Sequence, residues 1–578
     1  MSFLGVELSL TGRRWRGPDR DTLRAAETLV QQTGLPQALC QILARRQVSP
    51  QDAQNFLTPA LRDLLPDPKS FKDLDKAATR ILHSLETNEQ IAVFADYDVD
   101  GGSSAALLIC WLKAMGHAAT LYVPDRIDEG YGPNTDAMRH LARSHDLIVC
   151  VDCGTLSHEP IAAADGADVI VLDHHLGTET LPPAMAVVNP NRQDESGDHS
   201  HLCAAAVVFL VLVELNSKLR QRGEKGPDLL GFLDLVALAT VADVAPLLGV
   251  NRAFVRQGLR VMAQRQRVGL VALADMARLD SAPSAYHLGY VLGPRVNAGG
   301  RIGAANLGAR LLSTDDLSEA QALAERLEEL NTERRDIEAA VRAAALHQAE
   351  ARGLEAALVW AAGPQWHPGV VGIVASRLKE TAHRPSIVIG VENGIGKGSG
   401  RSVSGIDLGQ PIQRLAAEGL LLKGGGHKMA AGLTVAEDMI EPAMARLTEL
   451  LEKQGAQAIG PGEVRLDGIL MPQAATVELV DQLEEAGPFG ASAPAPRFAF
   501  PDMAIRFAKR VGENHLKLSF GNETGQLDGI CFGAFDSDIG ARLEAHGGAT
   551  FHLAGRLDIN TWRGRKSVQL RLEDAALA

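Results

Sequence analysis

The segment IleAlaValPheAlaAspTyrAspValAspGlyGly at 91–102 decides the fold of this 578-residue chain. Its first five residues are an uninterrupted apolar run, typical of a strand buried on both faces of a parallel sheet. Asp96, Asp98 and Asp100 follow at alternate positions, and alternate residues of an extended segment point the same way. Like charges this close are tolerated mainly where cations neutralise them, so the segment predicts a metal site at the end of a buried strand.

Four further apolar runs continue this pattern. They lie at 118–123, 147–151, 169–172 and 186–189, separated by stretches of helix length. Short apolar strands that alternate with helices indicate a parallel α/β sheet. Because active sites of open α/β sheets lie at the carboxyl ends of the strands, we expect the polar residues after each run to share one edge.

Metal-ligand residues follow three of the apolar segments beyond the first. Asp152 follows the run at 147–151, and AspHisHis at 173–175 follows the next one. Asp243 follows LeuValAlaLeuAlaThrValAla at 235–242, which we interpret as another strand. Carboxylates with one or two imidazoles suit Mn²⁺ or Mg²⁺ better than a structural zinc site. For any one motif alone, a solvated acidic turn stays open as the alternative.

Two other metal motifs fit the sequence less well. An EF-hand also begins Asp-x-Asp-x-Asp-Gly, but Cys110 stands near the end of the loop, where that motif needs Glu. Cys150 and Cys153 form a Cys-x-x-Cys pair, yet zinc needs a second pair of ligands. We therefore expect Cys150 in the hydrophobic core and neither cysteine on a metal.

Three glycine-rich patches downstream carry residues that can bind phosphate. Glycine lets backbone amides approach an anion closely, and Arg offers a two-pronged donor. For each patch alone, turn glycines with solvated arginines explain the pattern equally well. The candidates are Arg295, Asn297 and Arg301 at 292–302, Ser399, Arg401 and Ser402 at 398–402, and Gly425, Gly426 and His427 at 423–432.

A leucine repeat predicts one long helix over 318–353. Ser318 is the expected cap at its start and Gly353 the expected stop. A helix of about 35 residues spans roughly 50 Å, so it is expected to connect two domains.

The C-terminal region predicts a small β-barrel. Beyond residue 463, short strands alternate apolar and polar residues. Between 505 and 571 the chain has 10 basic and 7 acidic residues, and Trp562 and Arg563 lie at a basic turn. Basic residues around aromatic ones favour an oligonucleotide-binding fold. Tyr131, after an earlier strand, is expected either to stack on a base or to pack.

Composition and net charge limit the classes of function that the chain can have. With 57 basic and 71 acidic residues, a net charge of −14, nucleic acid is expected in a local groove rather than over the whole surface. Six cysteines are too few for a disulfide scaffold. The first residues lack the layout of a signal peptide, and no apolar run approaches the ~20 residues of a membrane helix. We expect a cytoplasmic protein without membrane contact.

Together and in order, the acidic motifs resemble those of the DHH phosphoesterase superfamily, and from about residue 45 the chain resembles its RecJ family of single-strand-specific exonucleases. The motifs that carry the resemblance are AspTyrAspValAspGly at 96–101, ValAspCysGly at 151–154, AspHisHis at 173–175 and AlaAspValAlaPro at 242–246. The resemblance implies two Mn²⁺ or Mg²⁺ ions. It assigns Asp98 to the first ion, Asp100, His174 and Asp243 to the second, Asp152 to a bridge between them, Asp96 to a further acidic ligand and Asp173 to the support of an imidazole.

The downstream patches also match the family. Gly424-Gly425-Gly426-His427 resembles the signature of the DHH-associated domain. Arg295, Asn297 and Arg301 match a Pro-Arg-x-Asn motif, and Ser399 and Arg401 match residues that hold the 5′ end of the strand. His175 is the candidate for contact with a non-bridging phosphate oxygen or for proton transfer.

The resemblance implies an α/β fold in five parts. The expected parts are an N-terminal helical segment (1–80), a DHH domain with a parallel sheet (81–312), a connecting helix (313–353), a DHH-associated α/β domain (354–458) and an OB-like β-barrel that binds nucleic acid (463–578).

The expected function is a 5′→3′ exonuclease that releases 5′ mononucleotides from single-stranded DNA by two-metal hydrolysis, in DNA repair and recombination. Two alternatives remain: a DHH phosphodiesterase of short oligoribonucleotides or cyclic dinucleotides, and a catalytically inactive homologue that binds single strands. The expected partners are single-stranded DNA, a single-strand-binding protein and a helicase, and the chain is expected to be a monomer.

Overall fold

A computed structural model of the chain describes residues 2–126, 129–458, 460–523, 525–562 and 564–578, except for the side chain of Trp562. The chain forms two compact units. One is Leu65–Ile459, and the other combines Met1–Leu64 with Gly460–Ala578. The predicted N-terminal segment 1–80 is therefore divided between the two units.

Residues 2–64, as described, contribute one short strand and four α-helices to their unit, after a 3-10 turn at Phe3–Gly5. These are β1 (Arg14–Arg16), α1 (Arg20–Thr33), α2 (Gln37–Arg45), α3 (Ala53–Leu57) and α4 (Leu61–Leu64).

The unit Leu65–Ile459 begins with alternating helices and strands, followed by a run of helices. The elements are α5 (Leu74–Thr87), β2 (Ile91–Ala95), α6 (Val99–Ala114), β3 (Ala119–Tyr122), α7 (Thr135–Ala142), β4 (Leu147–Val151), α8 (His158–Ala162), β5 (Asp168–Leu172), β6 (Ala186–Val188), α9 (Ala204–Gln221), α10 (Leu233–Ala242), α11 (Gly249–Ala263), α12 (Val268–Met276), a π-helical turn (His287–Leu292), α13 (Gly293–Ile302) and α14 (Leu307–Ser313).

The five predicted strands form one parallel sheet. Their order is β3-β2-β4-β5-β6, and every residue of β2 and β4 is buried. Cys150 and Cys153 lie in the hydrophobic core beside this sheet. Burial on both faces explains the uninterrupted apolar runs of the sequence.

The interpretation of 235–242 as a strand is wrong, because this segment belongs to helix α10. The helix is apolar on all sides and almost wholly buried, so the sequence shows no amphipathic period. A short apolar run cannot be assigned to strand or helix by periodicity alone.

One helix of 36 residues, α15 (Leu317–Arg352), follows and confirms the long helix. Its cap differs from the expected Ser318: the Asp316 side chain accepts a hydrogen bond from the Glu319 amide, and Ser318 lies inside the first turn. Gly353 ends the helix at φ 100°, a conformation that favours glycine.

A second α/β layer completes this unit. Its elements are β7 (Val359–Pro364), α16 (Pro368–Ala382), β8 (Ser386–Glu392), β9 (Ile395–Arg401), α17 (Gly409–Ala417), β10 (Lys423–His427), β11 (Ala430–Ala436) and α18 (Ile440–Glu452). The sheet order is β10-β11-β9-β8-β7, with only β7 and β8 parallel among these described strands.

The C-terminal elements form the predicted barrel. They are β12 (Glu463–Arg465), β13 (Gly468–Ile469), α19 (Val477–Glu484), β14 (Phe498–Val511), β15 (His515–Asn522), β16 (Gly525–Cys531), α20 (Asp538–Glu544), β17 (Thr550–Trp562) and β18 (Arg565–Leu577). The order β14-β15-β16-β18-β17 closes through pairing of β17 with β14. This is a five-stranded barrel of the OB type, with α20 between its third and fourth strands.

The barrel shares its hydrophobic core with the first helices of the chain. Leu29, Leu39 and Leu43 are almost fully buried in one cluster with Phe498 and Phe520 of the barrel. β1 also pairs with β12. The N-terminal residues therefore complete the fold of the C-terminal ones, although more than 400 residues separate them.

Deleting 463–578 alone is expected to give an aggregating protein. The deletion would expose the buried leucines of α1 and α2, and each buried leucine contributes about 1.5–3 kcal/mol. Deleting both 1–64 and 460–578 is expected to leave a soluble unit that melts cooperatively. Light scattering and thermal melting compare the two truncations, and equal solubility would contradict the shared core.

Candidate active site

Three aspartates form a row at the carboxyl edge of the parallel sheet. Ala95, Val151 and Leu172 are paired in register across β2, β4 and β5, and Asp96, Asp152 and Asp173 are the next residues of the three strands. All three carboxylates are buried. The sequence prediction that strand-end acids meet at one edge is confirmed for these three.

Asp98 and Asp100 are fixed by helix N-termini. Asp98 caps α6, and its Oδ1 accepts hydrogen bonds from the amides of Asp100 (2.8 Å) and Gly101 (3.0 Å). Asp100 accepts the amides of Ala204 (2.7 Å) and Ala205 (2.8 Å) at the start of α9. Amides and helix dipoles of this kind stabilise carboxylates in their charged form.

His174 connects the row to Asp243. Its Nε2 lies 3.2 Å from Asp152 Oδ1 and 3.7 Å from Asp100 Oδ2, and its Nδ1 lies 3.9 Å from Asp243 Oδ2. Asp243 is the residue that ends α10. It thus reaches the site from the end of a helix rather than from the sheet.

These side chains form three groups that could each hold a metal ion. The groups are Asp96, Asp98 and Asp152; Asp100, His174 and Asp243; and Asp152, His174 and His175; the ligand atoms of each group lie within 4.8 Å of one another. Asp152 and His174 each belong to two groups. Adjacent sites that share a carboxylate are what a two-ion centre requires.

Two buried carboxylate oxygens receive no hydrogen bond from the described residues. They are Asp96 Oδ1 and Asp152 Oδ1, both inaccessible to solvent; the imidazoles of His174 and His175 lie 3.2 and 3.9 Å from Asp152 Oδ1. Burial raises the pKa of both groups well above its usual range, and neighbouring carboxylates add to the shift. Burial, with the charges of Asp100 and Asp98, raises the pKa of Asp243 to about 8. A divalent cation would supply the missing positive charge, so the donor set fits Mn²⁺ or Mg²⁺.

His175 is held in place by Asp173 and Tyr131. Its Nδ1 lies 2.8 Å from Asp173 Oδ1, and the Tyr131 hydroxyl lies 3.0 Å from the same nitrogen. Burial works to lower the pKa of His175, but the hydrogen bond and charge of Asp173 outweigh it and raise that pKa to about 9. Asp173 also accepts the Thr155 amide, and these partners hold its pKa below the usual range.

Tyr131 contacts His175 with both its hydroxyl and its ring, whose centre lies 5.5 Å from that of the imidazole. The hydroxyl also donates to the backbone oxygen of Asp152 at 3.1 Å, while the ring is half exposed. Of the two expectations, stacking on a base or packing, the contacts favour a role in orienting His175.

A cluster of positive charge lies beside residues 96–100, the acidic loop of the site. The Arg126 guanidinium carbon lies 5.0 Å from the ring centre of Tyr97, the residue between Asp96 and Asp98. Arg301 donates to the Gly369 backbone oxygen at 3.0 Å. Arg401 donates to Ser399 Oγ at 2.9 Å. None of these three arginines forms an ion pair with a described carboxylate.

Burial and mutual repulsion lower the pKa of several basic groups in this cluster. Burial lowers the pKa of Arg301 to about 10, and the charge of Arg126 adds to the shift. Burial and Arg126 also lower the pKa of Arg401 and of His367. His367 lies at the start of α16, where its Nδ1 accepts the Gly369 amide. Such a cluster needs an anion, and a phosphate group fits it.

The sequence prediction omitted Arg126 from this cluster. The segment 126–132 draws attention as a basic residue and a tyrosine after a strand end. Its place beside Arg301 and Arg401 follows only from packing, because these residues lie in three distant parts of the chain.

Two predicted phosphate ligands have structural partners instead. Arg295 forms a bidentate ion pair with Glu328 of α15 and donates to the Val291 oxygen at 2.7 Å. Asn297 Oδ1 accepts the Val99 amide at 3.1 Å and so ties α13 to the acidic loop. Both contacts support the site, and the role of Arg295 and Asn297 towards phosphate stays a prediction.

The glycine patches of the second sheet lie side by side. Ser399, Gly432 and Gly425 are paired across β9, β11 and β10, and Arg401, Ala430 and His427 form the next such row on the same face. A Cβ atom added to Gly425 or Gly432 would meet no neighbour within 4 Å. Gly426, at φ 147°, is by contrast packed against the backbone of Ala430. The glycines thus form an open floor between Ser399 and His427.

The remaining predicted residues lie at the hairpin between β17 and β18. Trp562 ends β17, and its side chain lies outside the described part of the structure, as does Arg563. This hairpin joins the fourth and fifth strands of the barrel, and in OB folds that loop is a frequent contact of oligonucleotides.

Comparisons with known proteins agree with this architecture. Three family models match: the DHH family N-terminal domain over 90–240, the DHHA1 domain over 354–453 and the RecJ OB domain over 466–574. No helix in the described ranges is both long and apolar enough to cross a membrane.

Curated proteins and solved structures resemble the chain over most of its length. The single-stranded-DNA-specific exonucleases RecJ of Dickeya dadantii and of Escherichia coli are each 38% identical to it, over 93% of this chain and 96% of theirs. RecJ from Thermus thermophilus in complex with Mn²⁺ matches with a TM-score of 0.81 and 30% identity, covering 97% of this chain and 79% of that one. The exonuclease RecJ bound to manganese matches with a TM-score of 0.58 and 36% identity, over 68% of this chain and 96% of that one.

Asp152→Asn is expected to stabilise the metal-free protein at pH 8 and to remove its stabilisation by Mn²⁺. Two like charges about 4 Å apart repel by about 4 kcal/mol at an effective dielectric constant of 20, so losing one charge should favour folding by on the order of 1 kcal/mol or more. Melting curves with and without Mn²⁺ measure both effects. Asp136→Asn, at an exposed aspartate of α7, is the control. A variant that keeps the wild-type response to Mn²⁺ would contradict the shared-ligand geometry.

Proposed function

The chain belongs to the RecJ family of single-stranded-DNA-specific exonucleases, and we propose that it is itself a metal-dependent 5′→3′ exonuclease that removes 5′ mononucleotides from single-stranded DNA. The observation that carries the proposal is a group of buried metal-ligand side chains with an arginine cluster close by. Tyr97, between Asp96 and Asp98 in the chain, lies against Arg126, and the charges of Arg126 and Arg301 both act on it.

The acidic groups divide naturally between two Mn²⁺ or Mg²⁺ ions. We assign Asp96 and Asp98 to the first ion, Asp100, His174 and Asp243 to the second, and Asp152 to both, in agreement with the ligand groups. When bound, the ions would lower the pKa of a water molecule and neutralise charge that develops on the scissile phosphate.

His175 acts on the phosphate side of the centre. In the metal-free site, the hydrogen bond and charge of Asp173 outweigh burial and raise the pKa of His175 to about 9, which favours the protonated imidazole. It can therefore donate a hydrogen bond or a proton to a phosphate oxygen. Asp173 and Tyr131 fix the orientation of the ring, which a general acid requires.

The arginine cluster defines the direction of degradation. We propose that Arg126, Arg301 and Arg401, with Ser399, bind the 5′-terminal phosphate. A pocket for a terminal phosphate next to the metal centre positions the bond after the first nucleotide for hydrolysis. The glycine floor between Ser399 and His427 is free of side chains that would obstruct the strand.

The barrel provides a second contact with the DNA. Exposed Phe532 lies against Arg571, whose guanidinium carbon is 5.1 Å from the ring centre, and Arg510 lies 3.6 Å above the ring of Phe535. Aromatic rings with neighbouring arginines bind single strands by stacking and by neutralising phosphates. We propose this face, with the hairpin at Trp562 and Arg563, as the grip on single-stranded DNA.

The two alternative functions are less well supported. Relatives named single-stranded-DNA-specific exonucleases match over nearly the whole chain, including the barrel, and this does not favour a phosphodiesterase of short oligoribonucleotides or cyclic dinucleotides. All the expected carboxylates are in place, which does not favour an inactive binding protein.

The cellular setting is part of the same proposal. We propose the five-part domain division given above, with the refinement that residues 1–64 fold with the barrel. We further propose a cytoplasmic monomer that serves DNA repair and recombination. A single-strand-binding protein and a helicase would supply its single-stranded substrate.

Digestion of end-labelled DNA tests the function. A 5′ label on single-stranded DNA should appear at once as a mononucleotide in Mn²⁺, while a 3′ label should stay on shortening strands. Duplex DNA and metal-free samples should remain intact, and Asp152→Asn should be inactive. Preferential cleavage of dinucleotides, or release of the 3′ label first, would refute the proposal.

Arg401→Ala is expected to remove the preference for a 5′ phosphate. A hydrogen bond to a charged group contributes about 1.5–3 kcal/mol, so KM for 5′-phosphorylated strands should rise about 10- to 150-fold, with little change for 5′-hydroxyl strands. Arg377→Ala, at an exposed arginine of α16, is the control. Loss of Mn²⁺ binding in Arg401→Ala, measured by calorimetry, would show a structural role instead.

His175→Ala is expected to lower kcat by about 10²- to 10⁴-fold at saturating DNA and Mn²⁺, the range for loss of a general acid or base. KM should change little, because the phosphate pocket is intact. Asp173→Asn should give a smaller loss of kcat, since it disturbs only the orientation and charge of the imidazole. His140→Ala, at an exposed histidine of α7, should behave like the wild type. An unchanged kcat in His175→Ala would remove this residue from the chemistry.

A further inference from the structure

Two exposed tyrosines lie at the start of a helical segment that leads into the candidate active site: Tyr286 directly precedes the π-helical turn His287–Leu292, and Tyr290 lies within it. Tyr286 and Tyr290 stack on each other with ring centres 5.2 Å apart and planes inclined by 25°. Their exposed fractions are 52% and 73%. Aromatic side chains of this size normally bury 150–250 Å² each, so an exposed stacked pair marks a binding surface.

The turn that carries Tyr290 is firmly anchored. Leu288 and Leu292 of the π-helical turn are fully buried. Gly289 packs against α10, since a Cβ atom there would lie 3.3 Å from the side chain of Val241. The inner face of the turn is therefore fixed, and the tyrosines occupy its outer face. π-Helical turns within helices are frequent at functional sites.

Helix α13, which directly continues this turn, is tied to the metal centre at two points. Gly293 packs against Ala242, the residue before Asp243, because a Cβ atom there would lie 3.3 Å from that of Ala242. The turn continues directly into α13, where Asn297 binds the Val99 amide of the acidic loop. Tyr290 precedes Asn297 by seven residues, or about 10 Å along a helix.

We propose that Tyr286 and Tyr290 form a stacking site for one nucleobase of the DNA strand near the scissile phosphate. The inference rests on the proposed function. A base would stack on the outer face of Tyr290 and extend the pair by a third ring. Every base has a π-face, so such a contact holds a strand without selecting its sequence. A substrate whose sequence varies from turnover to turnover needs this kind of contact.

The arginine cluster does not already provide this interaction. Arg126, Arg301 and Arg401 recognise phosphate, which fixes the end of the strand but leaves its bases free to rotate. A stacked base close to the metal centre would restrict the sugar-phosphate backbone on one side of the bond to be cut, which favours the reactive geometry.

An abasic scan tests the stacking site directly. Short 5′-phosphorylated single strands, each with one abasic position, are bound to the full-length protein with Ca²⁺ in place of Mn²⁺, after a check that they remain intact. In the wild type, one position near the 5′ end should weaken binding more than its neighbours. Base–aromatic stacking is worth about 1–3 kcal/mol, so the rise in Kd should lie between about 5-fold and 150-fold.

Tyr290→Ala should abolish the penalty at that position and leave those at other positions unchanged. Tyr290→Phe, which keeps the ring, should retain the wild-type profile and guards against a folding defect in the alanine variant. Leu230→Ala, at an exposed leucine elsewhere in the same unit, is the surface control. The same abasic profile in Tyr290→Ala as in the wild type would overturn the stacking site while leaving the exonuclease proposal intact. Failure of the wild type to bind single strands at all would overturn both.

Discussion

The structure depends on the mutual repulsion of carboxylates packed at the end of a buried sheet. Asp96, Asp152 and Asp173 directly follow three neighbouring strands of the sheet, whose last residues are paired in register. All three are buried, so little solvent screens their charges. Helix N-termini at Asp98 and Asp100 and the His175 imidazole at Asp173 offset part of this electrostatic repulsion. Asp96 and Asp152 each keep a buried oxygen that receives no hydrogen bond from the described residues, and a cation at these oxygens would neutralise their charge.

Opposite charges lie close to each other around Tyr97. This residue stands between Asp96 and Asp98 in the chain, and the Arg126 guanidinium lies against its ring. An ion pair between the two sides would cancel both sites, because the arginines would then no longer need a phosphate and the carboxylates would no longer need a cation. Gly300 makes this proximity possible, since a Cβ atom there would lie 2.5 Å from the backbone oxygen of Tyr97. The close approach brings Arg301 within reach of the charge of Asp98, while the described residues contain no ion pair between the two side chains.

The barrel illustrates a different constraint. A five-stranded barrel encloses a small core, and α1 and α2 add their leucines to it. The strands are recognisable locally because Leu516, Leu518 and Phe520 alternate inward, and all three are fully buried. Nothing local in residues 26–57 shows that their apolar face belongs to strands more than 400 residues later. The apolar face of an amphipathic helix shows that the helix packs against another element, but it does not identify that element.

The sequence by itself determined the five strands of the parallel sheet, the acids that follow them and the long helix, because each shows in neighbouring residues as an apolar run, an alternation of aspartates or a leucine repeat. It misassigned 235–242, which is apolar without a period, as a strand. Tertiary structure alone decided that Asp243 arrives from the end of a helix, that Asp316 rather than Ser318 caps α15, and that Arg126 joins Arg301 and Arg401. It also turned Arg295 towards Glu328. Local sequence patterns indicate which residues of a segment are buried and whether the segment is a helix or a strand. Which charged groups meet depends on how distant segments pack, and that information lies in no single stretch of the chain.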